Sequence, residues 1–252
     1  METLLQGKKI VLMGVVNKAS IAWGCATAMK KCGAEIIFTY QNERVKKQLD
    51  KLLDPADLRI QCDVASDEDI ARTFAEIKET IGTIDGVVHS IAFAPREALE
   101  GELTDASRES FNVAHEISSF SLIAVAREAR KIMNPGGSIA TLTYIGSSRA
   151  VKYYNIMGLA KASLEAAVRY LALDLAEQDI RVNCVSAGAI KTLASSGIKG
   201  FNALLDEAAE RTPSGKQVTT REVGNAMAFL MSDLSTGMTG ELMYVDKGTH
   251  LS

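Results

Sequence analysis

Short apolar strand signals alternate with helical ones along this chain, and that alternation limits the fold more than any other feature. Strands are expected at Lys9–Met13, Glu35–Tyr40, Leu58–Cys62, Gly86–Ser90, Ser138–Tyr144, Ile180–Ala187 and Glu241–Val245. Helical patterns fall between them at Ile21–Lys31 and Glu43–Leu53. A third is opened by a capping box at Ser66-Asp-Glu-Asp69 and runs through Ile81. A fourth, Ser107–Lys131, is ended by Asn-Pro-Gly-Gly at 134–137, and a fifth spans Tyr154–Glu177. Apolar strands joined by helices cannot pair as hairpins, so they form a parallel sheet covered on both faces. The expected fold class is α/β, a single Rossmann-like doubly wound parallel sheet of about seven strands with helices on both faces. One domain over residues 1–252 holds it. One stretch exceeds a simple crossover: about 188–216, with Gly197, Gly200 and a helical piece near Phe201–Arg211. An insertion after the C-terminal end of a strand is where a doubly wound fold places a substrate lid.

With 252 residues, 47% of them hydrophobic, the chain can bury a substantial core. A net charge of −3 gives no support to a nucleic-acid partner. No apolar run reaches the length of a membrane span, and the first residues lack a charged segment followed by an apolar core, so neither a membrane helix nor a signal peptide is expected. Cys25, Cys32, Cys62 and Cys184 are scattered in apolar or small-residue contexts with no Cys-x-x-Cys. They read as reduced, mostly buried thiols of a cytoplasmic protein. His89, His115 and His250 have no ligand spacing, and no metal site is expected.

The turn after the first strand, Met13-Gly14 through Ser20-Ile21-Ala22-Trp23-Gly24, opens the first helix. Glycine lets backbone pass close to a pyrophosphate, and the helix start offers free N–H groups with positive dipole charge. The spacing departs from Gly-x-Gly-x-x-Gly, so by that fingerprint alone an ordinary strand–helix turn fits as well. Asp63-Val64, after the third strand, is where such folds bind adenine, and Ser90-Ile91-Ala92, after the fourth, would line the cofactor channel. Gln41, at the end of the second strand, is neither the acid that bonds a ribose 2′-hydroxyl nor the arginine that favours a 2′-phosphate. Arg44, Lys46 and Lys47 follow it, either within reach of a phosphate or on the solvated face of the next helix.

Tyr154 and Lys161 stand seven residues apart in Tyr-Asn-Ile-Met-Gly-Leu-Ala-Lys. That spacing puts them on one helix face, two turns or about 10 Å apart along the axis. Alone, such a pair reads as a core aromatic and a solvated lysine. Beside a nucleotide-binding turn, it suggests hydride transfer from a nicotinamide completed by a proton, with the ammonium expected to favour the phenolate.

The motifs Gly14-x5-Ser20-Ile21-Ala22-x-Gly24, His89-Ser-Ile-Ala-Phe-Ala94, Thr143-Tyr144, Tyr154-Asn-x-Met157-Gly-x-Ala-Lys161-Ala-Ser163-Leu-Glu165 and Ile190-Lys-Thr-Leu-Ala194 together resemble the enoyl-[acyl-carrier-protein] reductases of bacterial fatty-acid synthesis. These are a divergent branch of the short-chain dehydrogenase/reductase superfamily, and the resemblance covers essentially the whole chain. Ordinary superfamily members place tyrosine four residues before the lysine; here Met157 stands there, and the tyrosine is Tyr154. The resemblance implies hydride delivery from NADH, with NADPH as the alternative, to C3 of a trans-2-enoyl thioester. Tyr144, Tyr154 and Lys161 would be catalytic. Gly14, Ser20, Ile21, Gln41, Asp63, Val64, Ile91, Lys161, Ile190, Lys191, Thr192, Leu193 and Ala194 would contact the cofactor. Ala94, Tyr144, Tyr154, Met157, Ile198 and Phe201 would contact the substrate. It also implies an acyl carrier protein bearing the enoyl chain as partner, and a homotetramer built on the helices at Ser107–Lys131 and Tyr154–Glu177. One departure is Ala189, where many relatives carry proline before the Ile-x-Thr-Leu run.

The longer spacing has a chemical rationale. In a conjugated enoyl thioester the oxygen lies two carbons from the hydride acceptor, whereas in a ketone it sits on the acceptor carbon. A carbonyl or alcohol oxidoreductase of the same superfamily is the alternative; it needs the Tyr-x3-Lys pair that Met157 removes, although Ser147 or Ser148 would stand near its serine. A non-catalytic nucleotide sensor would not need Tyr144, Tyr154 and Lys161 together.

Overall fold

Among the described residues, seven parallel strands form one sheet in the order β3-β2-β1-β4-β5-β6-β7. They are β1 (Lys9–Met13), β2 (Glu35–Tyr40), β3 (Arg59–Gln61), β4 (Ile84–His89), β5 (Met133–Thr143), β6 (Arg181–Ala187) and β7 (Leu242–Val245). The structure, a computed structural model, describes residues 3–192 and 201–251, the side chains of 201–204 and 207 excepted. The helices are α1 (Ile21–Lys31), α2 (Glu43–Leu49), α3 (Asp67–Thr80), α4 (Arg108–His115), α5 (Ser121–Ala129), α6 (Asn155–Asp174), α7 (Phe201–Glu210) and α8 (Thr220–Met231).

Successive strand side chains point to opposite faces, so each strand feeds two cores. Val11, Met13, Val87, Ile139, Val182 and Cys184 join the helices α3, α5 and α6 on one face. Ile10, Leu12, Val88, Ala140 and Val185 join α1 and α8 on the other. Strand order reverses between β1 and β4, and a doubly wound sheet opens its ligand crevice beyond the carboxyl ends at that point.

Several expected boundaries move, each for a local reason. The helix expected over Glu43–Leu53 ends at Leu49. The amides just beyond it, of Lys51 and Leu52, bond three residues back instead of four, the tightening common at helix ends. The box expected at Ser66 is half made: Ser66 Oγ accepts from Asp69 N at 3.1 Å, while Ser66 N is already bonded to Asp63 O. The segment expected as one helix over Ser107–Lys131 is α4 and α5 joined by a π-turn at Glu116–Phe120. Asn-Pro-Gly-Gly does not end it. Those residues belong to β5, which begins at Met133, and the register with β4 shifts between Ile84 and Gly86. Proline has no N–H to give a ladder, and a bulge accommodates it.

α8 was not anticipated. It opens with a reciprocal capping box between Thr219 and Glu222. It crosses α1 at backbone contact: a methyl group at Gly224 would lie 2.3 Å from Gly24 O, and one at Gly24 would lie 2.3 Å from Thr220 O. Gly24, grouped above with the nucleotide turn, is therefore also required by this crossing.

Candidate active site

Gly14 ends β1 with φ +95°, a left-handed conformation that side chains disfavour, and a Cβ there would lie 1.9 Å from Ser90 O. The turns after β1 and β4 thus touch backbone to backbone at the strand-order reversal. The chain then enters α1 through Ser20, whose hydroxyl accepts from Trp23 N at 3.3 Å and donates to Asn17 O at 2.7 Å. The first turn of α1 carries no acid, whereas those of α2, α3, α4 and α8 all do. An anion meets a positive helix end there with no carboxylate in the way, so these residues fit a dinucleotide pyrophosphate.

Across the crevice mouth, Gln41 Nε2 donates to Asp63 Oδ2 at 3.3 Å, joining the ends of β2 and β3. Asp63 is partly exposed, while Val64 is 9% exposed and packs into the core with Ile60 and Ile70. Arg44 and Lys47 are exposed, and Lys46 stands 3.9 Å from Glu43 on its own helix. Ile91 packs partly on the core beneath.

β5 delivers Tyr144 and α6 delivers Tyr154, their rings edge to face at 5.0 Å between centroids and 68° between planes. Tyr154 is the N-cap of α6, and both of its neighbours, Tyr153 (φ 66°) and Asn155 (φ 37°), are left-handed. Such conformations cost energy and are held by their surroundings; Asn155 Nδ2 donates to Gly101 O at 3.2 Å. Burial, then the neighbouring Tyr144 and Glu165, raises the Tyr154 phenol above its ordinary value. This corrects the expectation of an easily lost proton: burial acts most strongly on the phenol, Tyr144 and Glu165 push it the same way, and Tyr154 is a neutral hydrogen-bond donor.

Lys161 lies on the same helix, 5% exposed, its Nζ donating to Leu142 O at 2.7 Å. Burial lowers it to about 8, opposed by Cys184 and Glu165. The carboxylate of Glu165 accepts from Thr143 Oγ1 at 2.6 Å. Ala94, Met157 and Tyr154 meet in one apolar cluster with Ala98, Leu99, Ala114 and Ile156.

The π-turn supplies groups that the sequence reading did not single out. Ser118 Oγ donates to Phe93 O at 2.9 Å, accepts from Phe93 N at 3.0 Å and lies 3.7 Å from Met157 Sδ. Ser119 Oγ donates to Ser163 Oγ of α6 at 2.9 Å. His89 is fully buried, with Nε2 2.8 Å from Ser121 Oγ and Nδ1 3.1 Å from Thr141 Oγ1, and burial lowers it to about 3. The available signal was small polar residues inside an apolar helical pattern, where they must find partners.

Ile190 packs against the α1/α8 core, with Lys191 and Thr192 following it after β6. Leu193, Ala194 and Ile198 lie outside the described residues, as does the side chain of Phe201. A cavity of about 230 Å³ lies beyond β7, lined by Val218, Glu222, Tyr244, Asp246, Lys247 and His250, apart from the two tyrosines. Its polar groups are already joined, Glu222 with Lys247 and Asp246 with His250. Among the described residues no group of three His, Cys, Asp or Glu could hold a metal ion, and no helix is long and apolar enough to cross a membrane.

Residues 14–250 match the family model described as Enoyl-(Acyl carrier protein) reductase. The chain is 57% identical over 248 residues to the enoyl-[acyl-carrier-protein] reductase [NADH] of Enterococcus faecalis, covering 98% of this chain and 99% of that one. It is 51% identical over 250 residues to the [NADPH] enzyme of Staphylococcus aureus, covering 98% of each. The Bacillus cereus enoyl-acyl carrier protein reductase, solved with NADP+ and indole naphthyridinone, superposes with a TM-score of 0.95 at 51% identity over 99% of this chain and 98% of that one.

Proposed function

The chain belongs to the enoyl-(acyl carrier protein) reductase family, and we propose a specific division of labour among its residues. The reaction is the reduction of the trans-2 double bond of enoyl thioesters carried on acyl carrier protein, a step of fatty-acid elongation. A nicotinamide, NADH in preference to NADPH, supplies the hydride when bound.

Gly14, Ser20, Ile21 and the α1 N-terminus hold the pyrophosphate; Gln41, Asp63 and Val64 hold the adenosine end. Ile91, Ile190 to Ala194 and Lys161 hold the remainder, the Lys161 ammonium on the nicotinamide ribose. Tyr154 donates a hydrogen bond to the thioester oxygen, where negative charge develops as C3 accepts hydride. A donor held neutral by burial and aimed at that oxygen stabilises the enolate more than the substrate. Tyr144 braces the Tyr154 ring and borders the reacting carbons. Ala94, Met157, Ile198 and Phe201 line the acyl chain, and 188–216 forms its lid within the one domain of 1–252.

The observation that carries this reading is the edge-to-face pair of Tyr144 and Tyr154 at 5.0 Å, with Lys161 seven residues further along the helix. The carbonyl reductase alternative needs a phenol where Met157 stands, and Met157 is buried against Ser118. Steady-state assays with crotonyl and longer enoyl thioesters test the reading. Tyr154→Phe should lower kcat about 100-fold while NADH affinity stays within twofold; unchanged turnover would remove the mechanism.

The homotetramer is proposed on the segment Ser107–Lys131, which holds α4, the π-turn and α5, and on α6; together they expose Phe111, Phe120, Ile123, Leu159, Tyr170 and Leu173. The cytoplasm is proposed as its compartment, in keeping with four buried free cysteines.

A further inference from the structure

Two side chains one turn apart on α6 bond two consecutive residues of β5. Lys161 Nζ donates to Leu142 O at 2.7 Å, and Thr143 Oγ1 donates to Glu165 Oε1 at 2.6 Å. The next residue is Tyr144. Residues four apart share a helix face, so Glu165 stands beside Lys161 over the same strand end.

We propose that Glu165 is a positioning residue of this active site: it fixes the end of β5 through Thr143 and supplies the negative charge that faces the buried Lys161 ammonium. The groups around that ammonium come from every element packed on it. β4 gives His89, which burial keeps neutral, and β6 gives Cys184, which stands ahead of Glu165 in opposing the burial of Lys161 only as a thiolate, a form that burial pushes up to about 12. Tyr154 is a neutral phenol, and Arg169 and Glu241 act on Cys184 from further out. Glu165 is the only carboxylate acting on Lys161 among the described residues. Burial alone would neutralise a lysine; an adjacent carboxylate opposes that. The proposal rests on the reading above only in its consequence, that a charged Lys161 binds the nicotinamide ribose.

The test reads the lysine directly. Full-length protein labelled with 13C at lysine Cε is titrated by NMR, the Lys161 signal assigned by its loss in Lys161→Gln. In the parent protein it should titrate near 8. In Glu165→Gln it should move down by about one pH unit. Thr143→Val, which removes the hydrogen bond but keeps the charge, should leave the titration in place and lower kcat about threefold through misplaced Tyr144. If Glu165→Gln does not fold, Glu165→Asp should give a downward move of about half a unit. An unmoved titration in the folded variant overturns the proposal. NADH affinity across the same pH range separates the two readings. A Lys161 signal that moves while NADH affinity in the parent protein ignores pH removes the ribose assignment and leaves Glu165 standing.

Discussion

Gly146 is wedged against the ring of Tyr154: a Cβ on it would lie 2.4 Å from Tyr154 Cδ1 and 3.2 Å from Tyr144 Cδ1. The same residue's carbonyl lies 2.7 Å from where a Cβ of Gly158 would stand, on the first turns of α6. The turn after β5 therefore sets the position of the Tyr154 phenol from below. Gly146→Ala must push that ring by the better part of an ångström, and its hydroxyl moves with it. The expected outcome is a loss of kcat of about 10-fold or more, with NADH affinity within twofold, since displacement on this scale is costly to a positioned donor. Equal kcat in the alanine variant, measured at saturating substrate, would show that the ring is not held there.

Ser118 both donates to and accepts from the peptide of Phe93, the residue before Ala94. Alanine would leave that N–H and C=O without this partner. Ser118→Ala should cost about 1–2 kcal/mol of stability in chemical denaturation. Because Ala94 and Met157 lie in the proposed acyl site, KM for long enoyl thioesters should rise more than kcat falls. An equal loss for short and long chains would place the effect elsewhere.

His89 is fully buried between Ser121 and Thr141, and its folded-state value is about 3 against an ordinary 6.5. The unfolded chain takes a proton on this ring below 6.5 and the folded chain does not, so stability is fully present above 6.5 and is lost as pH falls toward 3. The loss from this residue is on the order of 4 kcal/mol over that window. His89→Gln, which retains hydrogen-bonding groups, should flatten the pH dependence of stability between 6.5 and 4 whatever its effect at neutral pH. Parallel profiles for the two proteins in urea titrations would refute the assignment.

Gly224 and Gly24 let α8 and α1 cross at backbone contact. Gly224→Ala gains helix propensity on an isolated helix yet must part the two helices here. The net expectation is a loss of about 1–3 kcal/mol, read as a lower thermal midpoint with kcat little changed. A stabilised variant would mean that the crossing relaxes freely.

Periodicity made most of the fold legible. β1, α1 and β2 stand where their apolar patterns placed them, the two strands as short apolar runs buried on both faces and α1 as a helix with one buried face. α8 is weakly marked in the sequence although Thr219-x-x-Glu222 is a capping signature, since Gly224, a poor helix former, stands within its buried face. The π-turn at Glu116–Phe120 was illegible for another reason. One extra residue per turn leaves the pattern helical, and its cause is tertiary: Ser118, Ser119 and Ser121 bond Phe93, Ser163 and His89, all remote in sequence. The Tyr154–Lys161 pair was legible as a pair, but the direction in which Tyr154 is shifted depends on burial, which spacing does not report.

In the proposed site, cofactor choice would turn on Gln41 and its partner. Gln41 Nε2 holds Asp63 Oδ2 at 3.3 Å, so a carboxylate stands beside the place where the adenosine ribose is proposed to lie. A 2′-phosphate carries nearly two negative charges and needs arginine in close, two-point geometry. Here it would meet Asp63, while the exposed Arg44 lies a turn further on and Lys46 is near Glu43. NADH should therefore give the higher kcat/KM, by about 10-fold if the repulsion amounts to one to two kcal/mol. Gln41→Arg should narrow the gap, by placing a cation beside Asp63 that offsets its charge and can bond a 2′-phosphate. Raising the salt concentration should narrow it in the parent protein, because the opposing charges are exposed and screened. A higher kcat/KM for NADPH in the parent protein would show that the basic cluster of Arg44, Lys46 and Lys47, and not Gln41, reads the ribose.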